Sequence, residues 1–312
     1  MILQNLRYLA ALARERHFSR AAGACGVTQP TLSAGIKQLE EELGLLIVRR
    51  GQRFEGLTAE GQRILEWGQR ILADCESLEQ EAAVLRGGLQ GRLRIGAIPT
   101  TLPALSLLTL PFSQLHPQVT ISIHSLSSID IQRGLDDFSL DAGLTYLDNE
   151  PLANVRTIPL YRERYLLFTP AGGPLADSET VSWEEVTGLP LCLLTPDMQN
   201  RRIIDGLFAA AGATVHPTIE TNSVLTLWSH VRSGGYSSIL SQAFLFLFGE
   251  PAGIRAIPIT GSVATHSIGL VVSDHEPLTP SARALAAVAA TLDLTAALDG
   301  VPREVDGVRV PH

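Results

Sequence analysis

Phe18-Ser19-Arg20-Ala21-Ala22-Gly23-Ala24-Cys25-Gly26-Val27-Thr28-Gln29-Pro30-Thr31-Leu32-Ser33 is the stretch on which the reading turns. Ser19 is placed to cap a short helix carrying Ala21, Ala22 and Cys25, which Gly26 breaks. Thr28 caps a second helix, and Pro30 falls in its first turn, where a missing N–H costs nothing. Leu32, Ile36, Leu39 and Leu43 give that helix one apolar face, and Gly44 ends it. Two helices joined by so tight a glycine-containing turn form a helix-turn-helix. Upstream, Leu3, Leu6, Leu9, Ala10 and Ala13 give residues 3–15 a helical apolar face. Downstream, residues 45–48 and 54–57 read as a two-stranded wing whose tip carries Arg49, Arg50 and Arg53.

From Thr58 to about Arg86 only Gly61 and Gly68 interrupt a long helix. Ile64, Gly68, Ile71, Cys75, Leu78, Ala82 and Leu85 alternate spacings of four and three along it, a heptad seam suited to pairing with a second copy. Gly87, Gly88 and Gly91 follow as a hinge. Beyond them, β-rich runs at 93–98, 119–125, 141–145, 165–169, 189–194, 215–220, 237–240, 254–259 and 267–273 alternate with helical stretches. That alternation predicts α/β layers with largely parallel sheets. A last Ala-rich helix is expected at about 280–298, with a frayed tail at 301–312.

The chain has 312 residues, 45% hydrophobic and 18% charged, enough apolar material for several cores. Its net charge of −8 excludes a basic, whole-surface polyanion binder, yet residues 1–58 carry +3 and the remainder −11. Only the first segment is therefore placed to face a polyanion. Three well-separated cysteines, Cys25, Cys75 and Cys192, fit reduced thiols better than a disulfide framework. No secretory signal and no apolar run long enough to span a membrane is visible, so a cytoplasmic location is expected. The sequence holds no phosphate loop, zinc spacing or nucleophile elbow, and its eight histidines are scattered. No enzyme, metal or cofactor is expected.

Phe18–Ala22, Val27–Ser33, Ile36–Gly44, Arg50 and Leu57-Thr58-Ala59-Glu60-Gly61 together resemble the N-terminal domain of LysR-type transcriptional regulators. The likeness continues more weakly through Ile95-Gly96-Ala97, Leu140–Leu144 and Val231–Leu240. It implies a winged helix-turn-helix over 1–58 and a linker helix and hinge over 59–91. It further implies an effector-binding domain over 92–300, built from two α/β subdomains like a type 2 periplasmic binding protein. The first subdomain would take about 92–160 and 266–300, the second about 161–265. The partners implied are double-stranded promoter DNA, a small-molecule effector and a second copy, as homodimer or homotetramer. An activator would also engage RNA polymerase. The runs at 141–152 and 191–205 resemble a subgroup associated with formate dehydrogenase genes, making formate metabolism a candidate context.

Recognition-helix residues read base edges while their neighbours hold phosphates. Gln29 can pair an adenine edge, Thr31 and Ser33 can donate to bases or phosphates, and Lys37 can hold a phosphate. By resemblance Gln29, Pro30, Thr31 and Ser33 lie at the DNA, and Arg50, with Arg53 beside it, reaches the minor groove or backbone. Arg53 can equally be a solvated side chain. Ala34 stands where relatives often have arginine, and Gly35 weakens helicity by ~1 kcal/mol, which shifts affinity toward the wing.

For the effector, Thr100 and Thr101 follow the run at 93–98 and open a helix, whose free N–H groups suit a small carboxylate or other anion. Simple capping would use the same hydroxyls. Ser127, Ser128 and Thr145 follow or end the next two strands. Met198, Gln199, Asn200 and Arg201 precede or open another helix, where Arg201 or Arg202 can pair an anion bidentately or stay solvated. Asn222, with Ser223, matches polar residues at the family's inter-domain crossover. A small-molecule binding or transport protein with an incidental helical module is the alternative class.

Overall fold

In the computed structural model, which describes residues 2–50, 54–249, 252–261 and 265–299, the leucine spacings of the first segment become a small helical core. Helix α1 (Ile2–Glu15) buries Leu6, Leu9 and Leu12, α2 (Phe18–Ala24) buries Ala21 and Ala22, and α3 (Gln29–Leu43) buries Leu32, Ile36 and Leu39. Each fully buried aliphatic side chain contributes roughly 1.5–3 kcal/mol. Leu3 and Leu43, expected on the apolar faces, are exposed. The cap of α2 is His17, whose Nδ1 accepts from the Ser19 N–H at 3.2 Å, so Ser19 lies inside the first turn rather than before it. Thr28 does cap α3, and Gly44 ends it with φ of 67°.

Gly35 has a packing reason. A Cβ there would meet the Tyr8 ring at 2.6 Å and Asn5 Oδ1 at 2.7 Å. The helicity the glycine gives up lets α3 close onto α1.

Strands β1 (Val48–Arg50) and β2 (Phe54–Leu57) pair antiparallel as the wing. The buried Glu40 carboxylate ties them to α3 by accepting the Ile47 and Val48 N–H groups at 2.9 and 3.0 Å. Helix α4 (Ala59–Leu85) starts at Thr58, whose hydroxyl accepts from Gly61 N–H at 2.8 Å and donates to Leu46 O at 2.6 Å. A Cβ on Gly61 would lie 2.1 Å from Ile47 O.

The chain divides into two compact units, Met1–Leu89 with Asp137–Ser139, and Gln90–Asp136 with Leu140–His312. The second begins with β3 (Gly91–Ala97), a 3-10 turn at Pro99–Thr101, α5 (Leu102–Leu115), β4 (Val119–Ser125), α6 (Ser128–Asp136), β5 (Ala142–Tyr146) and β6 (Val155–Glu163). Next come β7 (Tyr165–Pro170), β8 (Val181–Ser182), α7 (Trp183–Val186), β9 (Cys192–Leu194), α8 (Gln199–Ala210), β10 (Ile219–Thr221), α9 (Val224–Arg232), β11 (Ser238–Ser241), α10 (Ala243–Phe248) and β12 (Ile254–Thr260). It ends with β13 (His266–Ser273), α11 (Pro280–Ala289) and α12 (Leu294–Asp299).

One sheet has the order β4-β3-β5-β13-β6, another β11-β7-β12-β8, and β9 and β10 pair in parallel. The sheets are mixed, which corrects the largely parallel expectation: β3 runs parallel to β4 and β5, but β13 is antiparallel to β5 and β6, and β7 to β11 and β12. The antiparallel strands arise because the chain passes from the first sheet to the second after β6 and returns before β13. Strand β6 escaped sequence reading because Pro159 interrupts it; it is an edge strand with a register shift at the partnering Ile268/Gly269, where proline is tolerated. The single Ala-rich helix is two, since Asp293 Oδ1 accepts from Thr295 N–H at 3.0 Å and starts α12 afresh. Residues 301–312, expected to fray, lie outside the described residues.

Candidate nucleic-acid interface and effector cleft

On α3, Gln29, Pro30, Thr31, Ala34 and Lys37 are exposed and Ser33 is half-buried, a continuous face opposite the buried leucines. Gln29 Oε1 accepts from Ser19 Oγ at 3.1 Å, which orients the amide. The Thr31 and Thr28 hydroxyls lie 2.8 Å apart. Lys37 pairs with Glu41 at 3.3 Å in full solvent, a contact worth little and readily exchanged for a phosphate. Arg49 is exposed at the wing; the Arg50 side chain and all of Arg53 lie outside the described residues. The expected contacts on α3 therefore share one surface, held rigid by the Thr28 cap, the Gly35 contact and Glu40.

Along α4 the seam residues Ile71, Leu78 and Leu85 are 39%, 71% and 82% exposed. Their spacing of seven puts them on one stripe, left exposed by the described residues of the first unit. Trp67, 61% exposed, extends this apolar surface, with the Arg70 guanidinium 5.7 Å from its ring centre.

In the second unit, parallel register aligns Ala97 with Ser125 and with Leu144. Thr100 and Thr101 after β3, Ser127 and Ser128 after β4, and Thr145 at the end of β5 consequently gather at the carboxyl edge of the sheet, where open α/β folds bind ligands. All five are buried. Thr101 Oγ1 donates to Ile98 O at 2.9 Å, and Ser127 Oγ accepts from the Asp130 N–H at 3.1 Å. Thr100 Oγ1 is buried with no partner among the described residues. An orphaned buried hydroxyl costs about 1–3 kcal/mol and marks a place where a ligand atom can repay it.

From the other side, Thr145 Oγ1 lies 3.5 Å from Gln199 Oε1, the Gln199 amide donates to Asn149 O, and Asn200 Nδ2 donates to the Tyr146 hydroxyl at 3.1 Å. Four other candidate residues fall elsewhere. Met198 packs in the apolar core with Phe168, Leu227 and Trp228. Arg201, 6% exposed, spends its guanidinium on Asp205 at 2.8 Å, Glu220 at 2.6 Å and Leu194 O at 2.8 Å. Arg202 pairs with Glu150, so both arginines are already engaged. Asn222 is exposed in the turn between β10 and α9.

Sequence reading missed a buried polar cluster. The Tyr146 hydroxyl donates to Glu163 Oε2 and lies 3.1 Å from the Tyr165 hydroxyl; among the described residues Glu163 Oε1 and the Tyr161 hydroxyl have no partner. Burial, set against hydrogen bonds from Tyr146, Tyr165 and Ser241, pushes the Glu163 carboxyl up to about 7. The residues alternate along β6 and into β7, a signal that required the strand to be recognised first.

Among the described residues no three His, Cys, Asp or Glu side chains converge as a metal site, and no helix is long and apolar enough to cross a membrane. Against known proteins, a model of the bacterial regulatory helix-turn-helix of the lysR family matches residues 3–62, and one of the LysR substrate-binding domain matches residues 86–292. The DNA-binding transcriptional dual regulator OxyR of Escherichia coli K12 is 30% identical over 279 residues, 89% of this chain and 91% of that one. Full-length OxyR from Pseudomonas aeruginosa, with a cysteine replaced by aspartate, superposes at TM-score 0.73 and 29% identity over 95% of this chain and 96% of that one. CbnR in complex with its target DNA shares the fold at TM-score 0.67 and 20% identity, covering 93% and 99%.

Proposed function

The chain belongs to the LysR family of bacterial transcriptional regulators, and on that premise we propose how its residues divide the work. It is an oligomeric regulator that binds promoter DNA and carries an effector-binding unit, not an enzyme. The exposed face of α3 enters the major groove, with Gln29, Pro30, Thr31 and Ser33 at base edges and phosphates and Lys37 on the backbone. Arg50 and Arg53 extend the contact from the wing. The stripe through Ile71, Leu78 and Leu85 pairs with a second copy, and dimers combine into a tetramer. The observation that supports this reading best is a polar face on α3 whose backing is fully packed. Gel shift on DNA upstream of the chain's own gene tests it: Gln29→Ala with Ser33→Ala weakens binding at least tenfold, at about 1–3 kcal/mol for each lost base contact. Unchanged, salt-insensitive retention would overturn it.

For the effector we infer a small ligand at the carboxyl edge of β3, β4 and β5, touching Thr100, Thr145, Gln199 and Asn200, with Thr101, Ser127 and Ser128 shaping the wall. Its class is a small carboxylate or comparable anion, held by hydroxyls, amides and the N–H groups opening α5 rather than by an arginine, since Arg201 is engaged elsewhere. Binding changes the angle between the two sheets, and through the tetramer the bend of the DNA. Thermal shift with formate, acetate and longer organic acids tests this, because a ligand raises stability by mass action. Thr100→Val abolishes the shift and leaves DNA binding intact; an unchanged shift removes Thr100 from the site.

Several relatives are named hydrogen peroxide-inducible genes activators, so a peroxide response is the second reading. A thiol mechanism for it finds little support. Cys192 is buried in the apolar core and burial pushes its thiol up to about 11, while Cys25 and Cys75 belong to the first unit. Peroxide treatment with thiol mass spectrometry separates the readings: DNA binding altered by peroxide with Cys192 oxidised favours the second.

A further inference from the structure

Glu163 ends β6 and Tyr165 begins β7, so the first passage between the two sheets takes place at this acid. His266, which opens β13 after the return passage, is its partner in the ladder. Both passages therefore meet at one completely buried carboxyl group. From β5 it faces the Tyr146 hydroxyl; from its own strand, Tyr161; from β7, Tyr165; and from β11, Ser241. From β13 the His266 ring stands edge-on to Tyr146 at 5.8 Å, but its Nδ1 is turned to Asp148 at 3.1 Å. Neighbouring Arg162 donates to Thr265 Oγ1 at 3.2 Å. Among the described residues no cation pairs with Glu163. The Tyr146 oxygen in turn accepts from Asn200, at the start of α8 in the second half of the unit.

We propose that Glu163 is a proton-operated latch between the two halves of the effector-binding unit. With its proton the acid stays buried and Tyr146 holds Asn200, keeping α8 against the edge of β5. Without its proton the charge has hydroxyl donors but no cation, and Oε1 has no donor at all. Its hydration is best recovered by admitting water between the strands, which loosens Tyr146 and the Asn200 contact. The latch makes the effector response proton-linked and in that consequence rests on the effector reading; the latch itself does not. Burial, against the hydrogen bonds that favour the charge, already brings the group's titration near neutrality.

The test is hydrogen exchange of the full-length chain, without any effector, between about pH 6 and 8 and corrected for intrinsic rates. Protection at residues 199–203 and 142–146 falls about tenfold across that range in wild type and stays at its low-pH level in Glu163→Gln, which mimics the neutral acid. Tyr146→Phe loses protection at residues 199–203 at every pH, because the link to Asn200 is cut while Glu163 remains. A wild-type profile without pH dependence, or the same dependence in Glu163→Gln, overturns the latch. Should Glu163→Gln not fold, 13C-carboxyl NMR of glutamate-labelled wild type decides: a glutamate titrating near neutrality supports it, and none doing so overturns it. The effector reading fails separately, through an unchanged anion-induced thermal shift in Thr100→Val.

Discussion

Glu40 lies between α3 and the wing, with one carboxylate oxygen accepting the Ile47 and Val48 N–H groups at 2.9 and 3.0 Å, whereas Glu163, completely buried, leaves Oε1 without a partner among the described residues. The first acid completes a structure: two buried amides need an acceptor, and the side chain supplies it. The second is set among tyrosine hydroxyls at the joint of two sheets, where burial resists the charge. A buried acid is thus a fastener in one unit and a movable part in the other. The kind of donor separates them: backbone N–H groups fixed in the fold at Glu40, hydroxyls that can turn away at Glu163.

That contrast is broken most forcefully at Glu40. Glu40→Ala leaves two buried N–H groups unsatisfied and lowers the stability of the first unit by about 4 kcal/mol, while Glu40→Gln keeps an acceptor and recovers most of it. Urea denaturation followed by hydrogen exchange at residues 29–49 measures both; equal losses for the two variants would show that charge rather than the acceptor matters. At Glu163 the expected effect is about 3 kcal/mol and depends on pH. Its folded value of about 7 is raised from 4.5, so the folded chain holds the proton more tightly than the unfolded one. The stabilisation is complete below about pH 4.5 and is lost as pH rises through about 7. Subtracting the Glu163→Gln stability profile from that of wild type isolates this slope, and a flat difference would return Glu163 to the class of Glu40.

The first unit was legible because its signals are local. Thr28, Pro30 and Gly44 punctuate a helix whose leucines repeat at three and four, and the α4 seam repeats at seven over one uninterrupted span. The effector region was legible only where a parallel strand is followed at once by its helix, as at Thr100 and Ser127. Arg201 looked like a ligand group from its place at a helix start, but which face of α8 it occupies depends on Glu220, nineteen residues on. Glu163 was invisible because Pro159 hides β6, and because its partners come from β5, β7 and β11, which only the fold assembles.

Gly61 sharpens the contrast at intermediate size. Replacing it with alanine favours the helix by ~1 kcal/mol, yet the new Cβ would meet the Ile47 carbonyl, a backbone atom that cannot swing away. Overpacking costs about 1–3 kcal/mol, occasionally more, so a net loss of about 2 kcal/mol confined to the first unit is expected. A stabilised Gly61→Ala chain would mean that the start of α4 has room to shift.

The smallest effects distinguish a cap from a waiting hydroxyl. Ser127 Oγ accepts from the Asp130 N–H and donates to its carboxylate at 2.7 Å, so Ser127→Ala costs the second unit about 1 kcal/mol, as lost caps do. Thr100→Val removes a hydroxyl that has nothing to bond and keeps its volume, so stability rises by about 1 kcal/mol, the lower end of what an unpaired buried hydroxyl costs. Chemical denaturation of the two variants side by side reads the difference. A loss of about 1 kcal/mol in Thr100→Val would mean that its hydroxyl already serves the fold, and a group already serving the fold has no unmet bond to offer a ligand.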